Sequence, residues 1–264
     1  MKRAIGFIVL AVIWEIAARI LQSPVLIPLS KIIPSFFSML LSGVIIDDVL
    51  ISMSRIGIGY LIACIIGITG AIAISESKAA AAILMPVIDT MRPIAALTIF
   101  PLLIIILGLG IWSKVFVIFW TAWPAIILNT SHGLHEVDKS IIEAAQLDGA
   151  NSKTILLHIK FPLALPTIFT GLRIGVSGGW ISLVSAEMLG SNSGLGYSVL
   201  AYSQTFHFKE MYVIIIIIGL LGLLVNSILY KIQNTLDYKE TYISSFVRFG
   251  DRAQSFGLDS KGDL

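Results

Sequence analysis

Residues Glu143–Pro166 read EAAQLDGANSKTILLHIKFPLALP, and the rest of the chain is laid out around this stretch. It is the long charged segment between two apolar runs, with a helix start just before it and helix breakers inside it. Ser140-Ile141-Ile142-Glu143 fits a capping box, in which the Ser hydroxyl accepts a free backbone N–H and the Glu at N3 reaches back. The first helix is expected to end at Gly149, which can adopt the left-handed conformation that helix termini favour. Asn151 or Ser152 can cap a second short helix through Ile155, Leu156 and Ile159, and Pro162 is expected to stop it. The reading is two short helices at an angle, displaying the small side chains of Ala144 and Ala145.

On either side the chain is strongly apolar. Of 264 residues 56% are hydrophobic and 13% charged, and the mean hydropathy is +0.92. A soluble domain carries about 25% charged residues, so this is an integral membrane protein. Strand alternation is absent, so the fold class is all-α. Six segments have the length and apolarity of a spanning helix, about 4–21, 56–74, 93–110, 112–130, 167–189 and 211–232. Glu15 and Arg19 interrupt the first, and no small-residue cleavage site precedes Gln22, so it reads as a retained span rather than a signal peptide. With the N-terminus inside, both ends and the 131–166 loop are cytosolic. Twelve Lys and Arg then lie inside and five outside, as the positive-inside rule requires. Three regions follow: 1–55 with the first span and an outer interfacial segment, a core at 56–232, and a polar tail at 233–264.

Within the core, Ala63, Gly67 and Ala71 form a ladder of small residues that lets another helix approach closely. In the fifth span Gly171, Gly175, Gly178, Ser182 and Ser185 make a second such stripe. Arg173, Trp180 and Glu187 step by seven and share another face. Ionisable groups in a span tend to face a bundle interior or a wet cavity, which makes these three candidates for lining a path. Ile33, Phe36, Phe37 and Leu40 recur at helical spacing and suggest an interfacial amphipathic helix. His132 and His135 stand three apart, but no Cys, third His or HExxH pattern completes a metal site. The single Cys64 lies in an apolar run and excludes an internal disulfide.

The central stretch resembles the EAA motif of ABC-transporter permeases. Glu143, Ala144, Ala145 and Gly149 match it, then Ile159 and Pro162 at the family's spacing, with Phe161 in place of the usual Leu. The resemblance implies a type I importer permease whose cytosolic loop docks into a groove on a separate ATPase subunit. Arg92-Pro93, Gly108-Leu109-Gly110, Gly171-Leu172-Arg173, Ala186-Glu187-Met188 and Gly194-Leu195-Gly196 look like the nitrate/sulfonate/taurine branch. Asn226 departs from the acidic residue expected there. The resemblance implies a homodimeric permease in a prokaryotic plasma membrane, two ATPase subunits that bind ATP and Mg, and an extracytoplasmic binding protein. Nucleic acid is not among the expected partners. The branch also includes carriers of neutral vitamin precursors, so two solute classes stay open. No G-x-x-x-x-G-K-[ST] loop is present, so nucleotide hydrolysis falls to a partner. A secondary transporter would carry internal repeats and ion ligands within its spans; no clear repeat is visible.

Overall fold

A computed structural model describes the backbone of residues 2–257 and the side chains of residue 6 and residues 8–235. Among these residues every regular element is a helix. The bundle is built around α6 (Ile111–His135), which lies between α3 (Ile46–Glu76) and α9 (Phe161–Gly190). In lipid, apolar side chains gain little by leaving the solvent, so close backbone packing must hold helices together. Both expected small-residue stripes supply it. A Cβ at Gly67 of α3 would lie 2.8 Å from Ile126 of α6, and one at Gly171 of α9 would lie 2.7 Å from Asn129 of α6. Ala63 and Ala71 are buried in the same α3–α6 seam, and Ser182 of α9 hydrogen-bonds Thr121 of α6 at 2.9 Å.

Around this trio lie the remaining elements. The helix α11 (Phe208–Gly257) packs against α9, α10 (Leu195–Gln204) and α2 (Leu29–Leu41). The expected apolar face of α2 needs correcting: the face that packs is Ile32, Phe36 and Met39, while Ile33, Phe37 and Leu40 of the expected stripe are exposed. The helix α1 (Lys2–Leu21) coincides with the first expected span and is tied to the chain after it by Trp14, whose Nε1 donates to the Ile27 carbonyl at 3.0 Å. The expected tail from 233 falls mostly beyond the described side chains.

Four helices among the described residues are long and apolar enough to span, and a fifth span arises if one bent pair counts as one. The helix α1 occupies the place of the first expected span but is not among them, so four or five of the expected six spans are seen among the described residues. The third span needs correcting, because no straight helix covers 93–110. Instead α4 (Lys78–Met91) and α5 (Ala96–Leu107) meet at 98°. The reason lies in Arg92–Ala95. Pro93 supplies no N–H to continue the helix, the chain turns extended at Ala95, and Trp120 of α6 donates its Nε1 proton to the freed Ile94 carbonyl at 3.1 Å. A break is tolerated at membrane depth where another helix satisfies the backbone in this way.

Candidate coupling loop and solute cleft

At one end of the bundle α6 gives way to α7 (Lys139–Leu147), then α8 (Ser152–Ile155). The start of α7 differs from the capping box. Asp138, not Ser140, is the N-cap and accepts the Ser140 backbone N–H at 2.9 Å. That bond holds the Asp138 carboxyl below its usual range, so the cap is charged at neutral pH and sits favourably at the helix N-terminus. Both residues are good caps two positions apart, and Lys139 already lies inside the helix. Glu143, Ala144 and Ala145 follow on α7, which buries none of its residues; Leu147 is 90% exposed. Gly149 closes the turn with φ +83°, in open space, and Asn151 caps α8 by accepting the Thr154 N–H at 2.8 Å. Both of these match the sequence reading.

Pro162 does not stop the second helix. A π-helical turn, Leu156–Lys160, joins α8 to α9 without a break, and Pro162 falls in the first turn of α9. Pro lacks the N–H that would bond four residues back, and its ring crowds that carbonyl. Widening the preceding turn, with the Phe161 N–H donating to Leu156, accommodates both effects. Residues Ser152–Gly190 therefore form one helix of 39 residues, about 58 Å long at about 1.5 Å per residue. The apolar layer is about 30 Å thick, so the surplus carries α8 and the π turn, with Ile159, out of it.

The three residues expected to line a path have other neighbours. Trp180 is buried against α11, where its Nε1 donates to the Ile218 carbonyl at 3.2 Å beside Gly222. Arg173 donates to Asn226 at 3.2 Å and Gln233 at 3.1 Å and lies 4.8 Å over the Tyr230 ring. Glu187, with no exposure, accepts from Arg55 at 2.7 Å, from Ser52 at 2.9 Å and from the Gly196 N–H at 3.0 Å. This network knits the end of the bundle opposite α7. Asp48 takes the Gly194 N–H at 2.7 Å and the Ser198 hydroxyl, while Ser52 takes the Leu195 N–H. Gly194 has φ +106°, and a Cβ there would lie 2.5 Å from the Glu187 carboxylate, so glycine is required on both counts. Nearby, buried Lys114 donates to the carbonyls of Leu109 and Gly190. Asp48, Ser52 and Arg55 escaped the sequence reading. The only hint was a charged residue on the α3 face that carries Gly59.

None of the three lines the large cleft of about 1030 Å³ between the α4–α5 elbow, α6 and α9. Its walls are apolar with a few polar groups, including Arg92, Thr121, Asn129, His132, His135 and Ser182, and no carboxylate is among its lining residues. His135 engages the Ser131 carbonyl through Nδ1 at 2.7 Å, and His132 lies 3.3 Å from Glu136. Among the described residues no three His, Cys, Asp or Glu side chains converge as metal ligands.

A helical bundle with close glycine packing, an elbowed span beside a polar-lined cleft and an exposed helical loop at one end has the architecture of a polytopic membrane transport subunit. The model of the family described as "Binding-protein-dependent transport system inner membrane component" matches residues 59–240, well over half of the chain, and the chain belongs to that family. It is 34% identical over 229 residues to an ABC transporter permease protein of Methanocaldococcus jannaschii, covering 84% of this chain and 86% of the relative. Against the taurine transport system permease of Escherichia coli K12 it is 33% identical, covering 73% and 72%. Against the nitrate import permease of Synechococcus elongatus it is 36% identical, covering 67% and 64%. The fold is similar to that of a chain in the inward-facing MetNI methionine ABC transporter, with a TM-score of 0.62 at 16% identity, covering 71% of this chain and 93% of that one. The protein is thus a multi-pass permease component of an ABC importer and not its ATPase. Membership implies an ATPase and a solute-binding protein as partners.

Proposed function

We propose that this chain imports a small organic or inorganic anion, of the sulfonate, taurine or nitrate kind, as a pair of identical permeases on two ATPase subunits that bind ATP and Mg. The loop face and both termini lie in the cytosol of a prokaryote, and the binding protein delivers solute at the Asp48–Arg55–Glu187 end. Glu143, Ala144, Ala145 and Gly149 form the docking helix and its turn, and Ile159 and Pro162 belong to the arm that joins it to α9. Solute passes along the cleft, with Arg92, Asn129 and the two histidines facing it. Trp180, Glu187 and Arg173 hold the helices behind that wall.

The observation that carries the reading is α7: a helix with no buried residue, displaying Ile141 and Leu147, joined by the Gly149 turn to a single long helix that runs on into the core. An unburied amphipathic helix held out from the bundle suits contact with another protein. For the solute class, support comes from a cleft that carries cationic and amide groups and no carboxylate, and from relatives named for taurine and nitrate. Ala145→Arg puts a bulky charge on the docking helix. It is expected to abolish copurification of the ATPase while membrane insertion stays normal; full recovery of the ATPase with this variant would overturn the reading.

A further inference from the structure

A lever is only as good as its stiffness, and the arm from α7 into the bundle passes through its weakest segment. Between Leu156 and Pro166 the helix contains a π turn and two prolines. The carbonyls of His158 and Pro162 thereby lose the donors that a regular helix would offer four residues on. Helices bend at such places, and a bend there would absorb motion arriving from α7. Three other helices brace the segment. On one flank Gln233 of α11 donates to the Pro166 carbonyl at 3.2 Å and accepts from Arg173 at 3.1 Å. Beneath it lies α6, so close that a Cβ at Gly133 would be 2.9 Å from Thr167. On the other flank Lys160, the last residue of the π turn, donates to Glu76, the last residue of α3, at 2.9 Å.

Of the ion pairs among the described residues, Lys160–Glu76 alone joins the loop segment to a different spanning helix. The two side chains retain 19% and 34% of their exposure, so the pair is mostly buried but still reaches solvent. Helix α3 packs along α6, and α6 contributes Thr121, Asn129 and His132 to the cleft wall. We propose that Glu76 is a positioning residue that carries displacement of the π turn into the α3–α6 pair, and so sets whether ATP hydrolysis changes access to the cleft. This rests on the coupling role proposed above for the 139–162 segment.

A single ion pair that keeps some contact with solvent contributes little to stability, so breaking it should leave the fold and the ATPase contact intact. What it should remove is transmission. In the complex with its ATPase, in nanodiscs and on a Cys64→Ala background, Ser182→Cys places a thiol on the cleft wall. A water-soluble maleimide then reads access to the cleft before and after MgATP with vanadate. The expected result is a nucleotide-dependent change in labelling rate that disappears on adding Glu76→Gln while ATP hydrolysis continues. It should return in the charge-swapped pair Glu76→Lys with Lys160→Glu. Retention of the full change in Glu76→Gln, or failure of the swapped pair to restore it in an assembled complex, overturns the proposal. A parent protein whose labelling ignores nucleotide sinks the ATP-driven reading itself, and this proposal with it.

Discussion

Arg55 stands 2.7 Å from a carboxylate with no solvent exposure, and the residue-scale test of the outer network is to remove it. Arg55→Met leaves Glu187 buried with hydroxyl and amide partners but without its ion-pair partner, at a cost of about 3–5 kcal/mol. Thermal unfolding in detergent should therefore show a large loss for Arg55→Met, with much of it recovered in the double variant Arg55→Met/Glu187→Met. A second residue points the other way. The Thr130 hydroxyl is buried on α6 without a hydrogen-bond partner, so the near-isosteric Thr130→Val should leave unfolding unchanged or raise its midpoint. Sequence alone gave no access to either feature. Arg55 and Glu187 are 132 positions apart, and only the packing of α3 on the far end of α9 brings them together. Periodicity placed Glu187 on one face with Arg173 and Trp180 correctly. It could not say what that face meets.

At the scale of elements, Gly149 separates conformational need from contact. Its φ is +83°, yet a Cβ would touch nothing there. Gly149→Asn should keep the turn, because Asn tolerates the left-handed region, whereas Gly149→Val should cost about 1–2 kcal/mol of local strain. The check is ATPase affinity of the purified permease, expected near normal for the Asn variant and weakened for the Val variant. The end of α7 was legible because glycine after a run of helix formers has one strong meaning. The start was not, since Asp138 and Ser140 are equally good caps and spacing cannot choose between them. Pro162 misled for a related reason: proline forbids a regular α turn but not a wider one, and the π turn leaves no mark on composition. The α4–α5 elbow was hidden in the same way. Its residues are as apolar as a straight span, and the Trp120 side chain that satisfies Ile94 comes from another helix.

For the whole molecule, the apolar runs gave the helical bundle from sequence, and the small-residue ladders of α3 and α9 marked the faces that close packing in lipid favours, though not which helix they meet. The cleft was not legible, since Arg92, Asn129, His135 and Ser182 come from three separate elements and share no spacing. Coupling through this loop requires the α7–α8 arm to lie on the ATPase side of the membrane and touch the ATPase. On a Cys64→Ala background, Leu147→Cys puts a thiol at the most exposed apolar position of α7. An impermeant maleimide should label it in inside-out vesicles and not in intact cells, and bound ATPase should block the labelling. Labelling from outside intact cells would contradict the account.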